Sequence, residues 1–295
     1  LASNADNDTI RLTGPTVETS IWGGKGEDSI QLRNTVTDSY IYANSGNDTI
    51  DVTAAVQNSF INGGEGDDRF SLTGTVTNST LVAGSGADLL TFNNVVGNTS
   101  VQGFGGSTAD TSNDTVVVSS SANDINVSFA EGADSLSFNK GATNATVAAA
   151  GGNDTVVAAL TLASSSIEAG AGDDSLSISV LSGSSLKAGS GADTINLSKA
   201  VSSQVYTNQD NDLIINSGDA TTSTLSGGAG TDSISIGGNV TGGQIVGNSG
   251  ADSISIAGTV NTAYVTGGAD NDSMTLGAVV GGTVAGQYGA DRLIV

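Results

Sequence analysis

Apolar residues recur along this chain in four columns that keep time with a repeating aspartate. Counted from that aspartate, positions +2, +4, +8 and +13 (+12 in the shorter repeats) are mostly aliphatic. After Asp28 they are Ile30, Leu32, Val36 and Ile41; after Asp68, Phe70, Leu72, Val76 and Leu81; after Asp252, Ile254, Ile256, Val260 and Val265. The +2/+4 pair alternates with Ser, Thr or Gln, the period-two signature of a strand. The +8 and +13 columns mark a second strand on an opposite wall. No 3.6-residue period survives, and Gly, Ser and Thr dominate, so no helix is expected.

The anchors are Asp8, Asp28, Asp48, Asp68, Asp88, Asp114, Asp134, Asp154, Asp174, Asp193, Asp212, Asp232, Asp252, Asp272 and Asp291. Ten of the fourteen steps between them are 20 residues, three are 19, and the step from Asp88 to Asp114 is 26. Two short strands and two turns in 20 residues make one rung of a solenoid, each rung stacking on the last at ~4.8 Å. The expected fold is all-β: a right-handed parallel β-solenoid (β-roll or β-helix) of about fifteen 20-residue turns. It is expected to run as a single continuous domain over residues 1–295, with an insertion loop near 103–113 (GFGGSTADTSN).

Composition narrows the function. Thirty acidic residues against eight basic ones give a net charge of −22, the wrong sign for nucleic acid and for anionic lipid. Acidic chains poor in aromatics are often disordered, but here hydrophobic residues make up 37% and are regularly spaced. No apolar run approaches the ~18 residues of a membrane span, so no membrane insertion is expected. The absence of Cys removes disulfides and thiolate sites; the absence of His removes most transition-metal sites and every Ser-His or Cys-His pair.

Stacked rungs would place the anchor carboxylates above one another. At ~5 Å each adjacent pair repels by about 1 kcal/mol in bulk water and by more near a protein surface. A divalent hard cation between turns would compensate, with Ca2+ favoured because it accepts six to eight oxygens in flexible geometry, backbone carbonyls included. The plainer reading is that each Asp only closes its turn on backbone N–H groups. That accounts for a few aspartates; it leaves the glycines and the net charge unexplained.

The anchor lies in a recurring Gly-x-Gly-x-Asp run followed by Ser or Thr and an aliphatic residue: GGKGEDSIQL at 23–32, GGEGDDRFSL at 63–72, AGAGDDSLSI at 169–178, GGAGTDSISI at 227–236, GNSGADSISI at 247–256. These repeats resemble the RTX, or hemolysin-type, calcium-binding repeats over nearly the whole chain. One departure stands out: only one loop per turn carries the motif, and the other (GGNVTGG, 237–243) has no acid. In this the chain is similar to one-sided calcium solenoids of giant RTX adhesins, bacterial surface-layer proteins and surface fibrils.

The resemblance implies Ca2+ on one edge, up to about one ion per turn. The carboxylates of Asp8, Asp28, Asp48, Asp68, Asp88, Asp174, Asp193, Asp212, Asp232, Asp252, Asp272 and Asp291 would bind it. Carbonyls of the glycine loops (Gly24, Gly26, Gly64, Gly66, Gly170, Gly172, Gly228, Gly230) would complete the shell. Asp6, Asp210 and Asp270 replace the second loop glycine, and Glu27, Asp67 and Asp173 precede the anchor. These six are either further ligands or solvated surface. The loops before Asp114, Asp134 and Asp154 are degraded.

Other chemistries fit less well. Ice binding would need a regular Thr/Asn row in the loop, but the position before the anchor reads Glu27, Asn47, Asp67, Ala87, Ala133, Asp173, Ala192, Thr231, Ala251. Every carboxylate cluster is repeated and none is singled out, so no catalytic residue and no organic cofactor is expected. Trp22, Tyr40 and Tyr42 are either a sugar platform or ordinary outward aromatics, the latter being commoner. The Asn-x-Ser/Thr sites at Asn78 and Asn98 arise from the repeat. The chain starts and stops in mid-rung, and uncapped solenoid ends stack or aggregate. The expectation is a secreted, non-enzymatic structural protein of the bacterial cell surface: a surface-layer, matrix or filament component. Its partners would be copies of itself and a cell-surface polysaccharide. The alternative is a stalk or binding module of a large RTX adhesin.

Overall fold

The computed structural model describes residues 1–2, 5–103 and 110–295. The fold is an all-β, right-handed parallel β-solenoid of about fourteen turns. Fifteen anchors bound fourteen intervals, which accounts for the difference from the fifteen turns expected. Contacts group the chain into two compact units, Leu1–Gly151 and Gly152–Val295.

In the first unit a rung has three strands rather than the two expected. The rung of Asp28 runs through Ser29–Leu32, Val36–Thr37 and Tyr40–Ser45. We call these the first, second and third walls. Ser29–Leu32 pairs in parallel and in register with Thr9–Leu12 on one side and Thr49–Val52 on the other. The other two walls pair in the same way. The +8 and +13 columns are therefore on separate walls. Position +10 parts them, because its backbone is left-handed: φ is 50° at Asp38, 49° at Asn58, 51° at Asn78 and 45° at Asn98. Asn and Asp take that conformation at least cost among residues with a side chain. This also explains why sequons appear at Asn78 and Asn98: the turn selects the Asn.

All four apolar columns point inward as expected. Ile30, Leu32, Val36 and Ile41 are fully buried, as are Phe70, Leu72 and Leu81. The phenylalanines of this unit with no exposed surface, Phe70, Phe92 and Phe138, all lie on the first wall. The insertion expected at 103–113 falls largely on residues 104–109, outside the described residues.

The second unit repeats the scheme, for example Ser233–Ile236, Val240–Thr241 and Gln244–Ser249. In several rungs the first two walls merge into one strand, such as Ser175–Ser182 and Thr194–Val201. Those two are 19-residue rungs, while Thr155–Ala163 and Ser253–Asn261 merge in the same way in 20-residue rungs. Register shifts between Ala158 and Thr161 and again between Ile256 and Thr259, where a 20-residue rung meets a shorter one. The missing residue has been removed between the first and second walls, and the register is whole on either side of the gap.

Candidate metal centre

The anchors close the corner between the third wall and the next first wall. Their side chains point inward. Asp28, Asp48, Asp68 and Asp88 in the first unit, and Asp174, Asp193, Asp212, Asp232, Asp252 and Asp272 in the second, are each at most 3% exposed. Asp8 and Asp291 are half-buried. The degraded-loop anchors Asp114, Asp134 and Asp154 are buried too.

One carboxylate oxygen of the anchors from Asp28 to Asp134 and from Asp174 to Asp291 is used by the backbone. The N–H of Asp28 donates to Asp48 Oδ1 at 2.6 Å, that of Asp48 to Asp68 at 2.8 Å, and that of Asp68 to Asp88 at 2.7 Å. The second unit continues the pattern from Asp154 to Asp291, at 2.8–3.1 Å. Each Oδ1 thus satisfies an N–H of the preceding rung, as the turn-closing reading holds.

The second oxygen has no such role. Oδ2 of Asp28, Asp48, Asp68, Asp88, Asp174, Asp193, Asp232, Asp252 and Asp272 is buried with no hydrogen-bond partner. A buried polar atom left so costs about 1–3 kcal/mol, more if charged, and this one recurs rung after rung. Its neighbour is another acceptor. Asp28 Oδ2 and the carbonyl oxygen of Ala43 in the next rung lie 2.5 and 2.6 Å from one point, where a Cβ on Gly23 would stand. The same pairing joins Asp68 Oδ2 with Ala83 O at Gly63, and Asp252 Oδ2 with Gly267 O at Gly247. A carboxylate oxygen facing a carbonyl with no donor between them is an arrangement a hard cation resolves. Position −5, which faces these oxygens, is a small residue: Gly23, Ala43, Gly63, Ala83. Two rungs depart from this: before Asp134 the position is the buried Phe129, and before Asp212 it is the buried Thr207, whose hydroxyl donates to the Gly227 carbonyl and supplies at that corner the donor the others lack.

Electrostatics agree. Burial pushes the carboxyls up from 3.8, to about 7 at Asp68, Asp193 and Asp252 and to about 8 at Asp88, with the stacked neighbour's charge adding to it. The backbone N–H donor opposes the rise and does not cancel it. Among the described residues no three acidic side chains converge on one point. A cation here would rest on one or two carboxylates, with backbone carbonyls for the rest.

The other expected residues have different roles. Gly24, Gly26, Gly64, Gly66, Gly170, Gly172, Gly228 and Gly230 all have φ between 109° and 142°. At Gly64 and Gly230 a Cβ would also run into the carbonyls of Asn44 and Asp210 one rung below, so stacking itself demands glycine there. Asp6, Asp210 and Asp270 are exposed at the lip, and Asp210 Oδ2 accepts the N–H of Gly191 at 3.1 Å. Glu27, Asp67 and Asp173 are exposed as well. Asp67 and Asp173 belong to an outer ladder, in which the residue before the anchor accepts the N–H of its counterpart one rung on. Ala87 donates to Asp67 at 2.8 Å, Asp67 to Asn47 at 2.9 Å, Ala192 to Asp173 at 2.8 Å and Thr231 to Asn211 at 2.7 Å. The inner and outer ladders run in opposite directions. The recurrence of Asn and Asp just before the anchor was the sequence signal for the outer one.

The family profile described as "RTX calcium-binding nonapeptide repeat (4 copies)" matches residues 38–55 and 57–74. The turns around Asp48 and Asp68 are RTX-type repeats. The matched segments hold the anchors Asp48 and Asp68, and the profile's description supports Ca2+ as the cation at their corner. Among solved structures, the solenoid resembles a hyperactive, Ca2+-dependent, β-helical antifreeze protein from an Antarctic bacterium. The two are 22% identical with a TM-score of 0.64, over 97% of this chain and 83% of that one. That likeness shows the shared fold. No curated protein matches the chain in sequence.

Proposed function

We propose that this chain is a non-enzymatic structural component of a bacterial cell surface, in a surface layer, extracellular matrix or filament, whose turns are held by calcium. The observation that carries the reading is the repeated Oδ2 of the anchors, buried beside a carbonyl oxygen with no donor. Calcium at that corner, up to about one ion per turn, would bind Oδ2 and the −5 carbonyl and remove the repulsion between stacked carboxylates. Loop carbonyls such as those of Gly24, Gly26, Gly228 and Gly230 would supply further oxygens. The solved neighbour is itself described as Ca2+-dependent, in keeping with this.

Calcium also suits an external location. In a cell interior poor in calcium, the acidic chain would stay unfolded, and it would fold where calcium is plentiful, because metal binding to the native state is folding free energy. Self-association, and contact with a surface polysaccharide, are the partners this role implies. Among the described residues no helix is long and apolar enough to cross a membrane. The neighbour's antifreeze activity does not transfer readily. The outer row that would face ice mixes Glu27, Asp67 and Asp173 with Ala87, Ala192 and Ala251.

Two measurements test the proposal on the full chain. Far-UV circular dichroism titrated with calcium from a chelated start is expected to show cooperative gain of β signal. Negative-stain imaging of the loaded protein is expected to show sheets or filaments. Full β structure in chelator, unchanged by calcium, refutes the calcium part; isolated rods at high concentration refute the assembly part in favour of an adhesin stalk.

A further inference from the structure

The outward face of the third wall differs between the two units. In the first unit its +14 column begins Trp22, Tyr42, Asn62. Trp22 and Tyr42 stack with centroids 6.3 Å apart and planes 8° apart, and Tyr42 packs on Phe60 at 5.5 Å. These rings pack on one another along the wall, with Trp22 still exposed at the edge of the stack.

In the second unit the same column reads Glu168, Lys187, Tyr206, Ser226, Val246 and Thr266, residues paired in register across adjacent strands. Small residues follow Tyr206, and a groove of about 740 Å³ opens there, within the usual range for small-ligand sites. Tyr206 stands at one end. Towards the other, Tyr264 and Gln287 reach over the column and join, Nε2 donating to the phenol oxygen at 2.7 Å. Asn248 Nδ2 donates to Ser226 Oγ at 2.7 Å. Thr266 is 2% exposed, and its hydroxyl has no hydrogen-bond partner. No residue of the lining is charged, in a chain whose net charge is −22.

We propose that this groove binds a neutral oligosaccharide. Tyrosine rings offer flat apolar faces to the C–H faces of pyranose rings. Amides and hydroxyls both donate and accept, which matches vicinal sugar hydroxyls. Thr266 Oγ1 is a buried group awaiting such a partner. A charge-free lining favours uncharged sugars, the nearest charges being opposite in sign and outside it: Asp270 next to Ala269, and Lys187 paired beside Tyr206. The proposal needs only the folded chain, so its failure would leave the structural role standing.

The test uses the full chain, calcium-loaded and checked for native circular dichroism, in isothermal titration calorimetry. The probes are cellohexaose, laminarihexaose and maltohexaose, with a hyaluronan hexasaccharide as the anionic control. At least one neutral hexasaccharide is expected to bind at one per chain. Tyr206→Ala and Tyr264→Ala should each weaken it about tenfold or more. Tyr264→Phe, which keeps the ring and loses the Gln287 bond, should weaken it less, and Tyr42→Ala in the first unit should leave it unchanged. The proposal fails if no neutral probe binds, if only the hyaluronan fragment binds, or if the groove variants bind as well as the parent. It fails equally if Tyr42→Ala, natively folded, abolishes binding.

Discussion

Most rungs turn two of their corners on a buried polar side chain, one an aspartate and one a serine or threonine. At the serine corner, Ser39 donates its N–H to Ser59 Oγ, and Ser59 does the same to Ser79, both at 3.2 Å. Ser165, Ser184, Ser203 and Ser223 repeat this in the second unit at 3.0–3.3 Å. Each hydroxyl also gives its own hydrogen to the carbonyl two residues back, as Ser59 does to Gln57 at 2.7 Å. A hydroxyl accepts once, donates once and is finished. The aspartate corner uses the same N–H-to-side-chain ladder, but a carboxylate only accepts. One oxygen is left over and buried. The serine column also gives way without ending the solenoid, to Ile125, Ala145, Gly243 and Ala263, whereas an aspartate anchors every rung. A self-sufficient corner tolerates replacement; a corner that depends on an external ion does not.

Removing calcium should have the largest effect. Each occupied site contributes about 2.7 kcal/mol at a hundredfold excess over its Kd, so a few sites match the 5–15 kcal/mol typical of a whole domain. Chelation near pH 8 is therefore expected to abolish the β signal in circular dichroism; serine-corner bonds alone should not hold it. Next comes pH in chelator, at whatever stability remains. The anchors' folded pKa values, about 6 at Asp48 and Asp174, 7 at Asp68 and 8 at Asp88, lie above the unfolded 3.8. The folded state then binds protons more tightly. Stability is fully present below pH ~4 and is lost as pH rises through about 6 to 8. Thermal melts in chelator should move up on acidification, and saturating calcium should remove that trend, since the ion binds the deprotonated form.

A substitution of smaller effect tests one corner. Asp68→Asn keeps an oxygen for the Asp48 N–H and turns Oδ2 into a donor facing Ala83 O. In calcium it should destabilise by about 2 kcal/mol, the size of a lost charge-assisted contact. In chelator it should be neutral or stabilising. Melts that show the same sign in both conditions would sink the idea that Oδ2 serves a cation. Ser59→Ala should be the mildest, costing about 1 kcal/mol with calcium or without it.

Much of this was legible in the chain. The period, the fifteen anchors and the inward columns follow from period-two alternation and a motif repeated in register. The second wall was hidden as a separate strand because a two-residue strand such as Val36–Thr37 has no alternation to read. Its real signal is the run of Asp38, Asn58, Asn78 and Asn98, residues tolerant of positive φ. The aspartate's direction was hidden for another reason. Sequence spacing places Asp68 on a column, and only the turn geometry shows one oxygen on the Asp48 N–H and the other beside Ala83. Glycine was read as a source of carbonyl ligands, whereas at Gly64 and Gly230 the first demand is room for the rung below. The groove could not be foreseen, since Ser226, Val246 and Thr266 look like any outward column until their flanking tyrosines are placed.

The shortened rungs carry a lesson for engineering. Each 19-residue rung loses its residue between the first and second walls, and the strands on both sides stay in register. That corner behaves as a splice point: chain length changes there without disturbing the aspartate corner across the rung. Peptides grafted at it in successive rungs would emerge along one edge at about 4.8 Å intervals, a display spacing fixed by backbone pairing rather than by the graft.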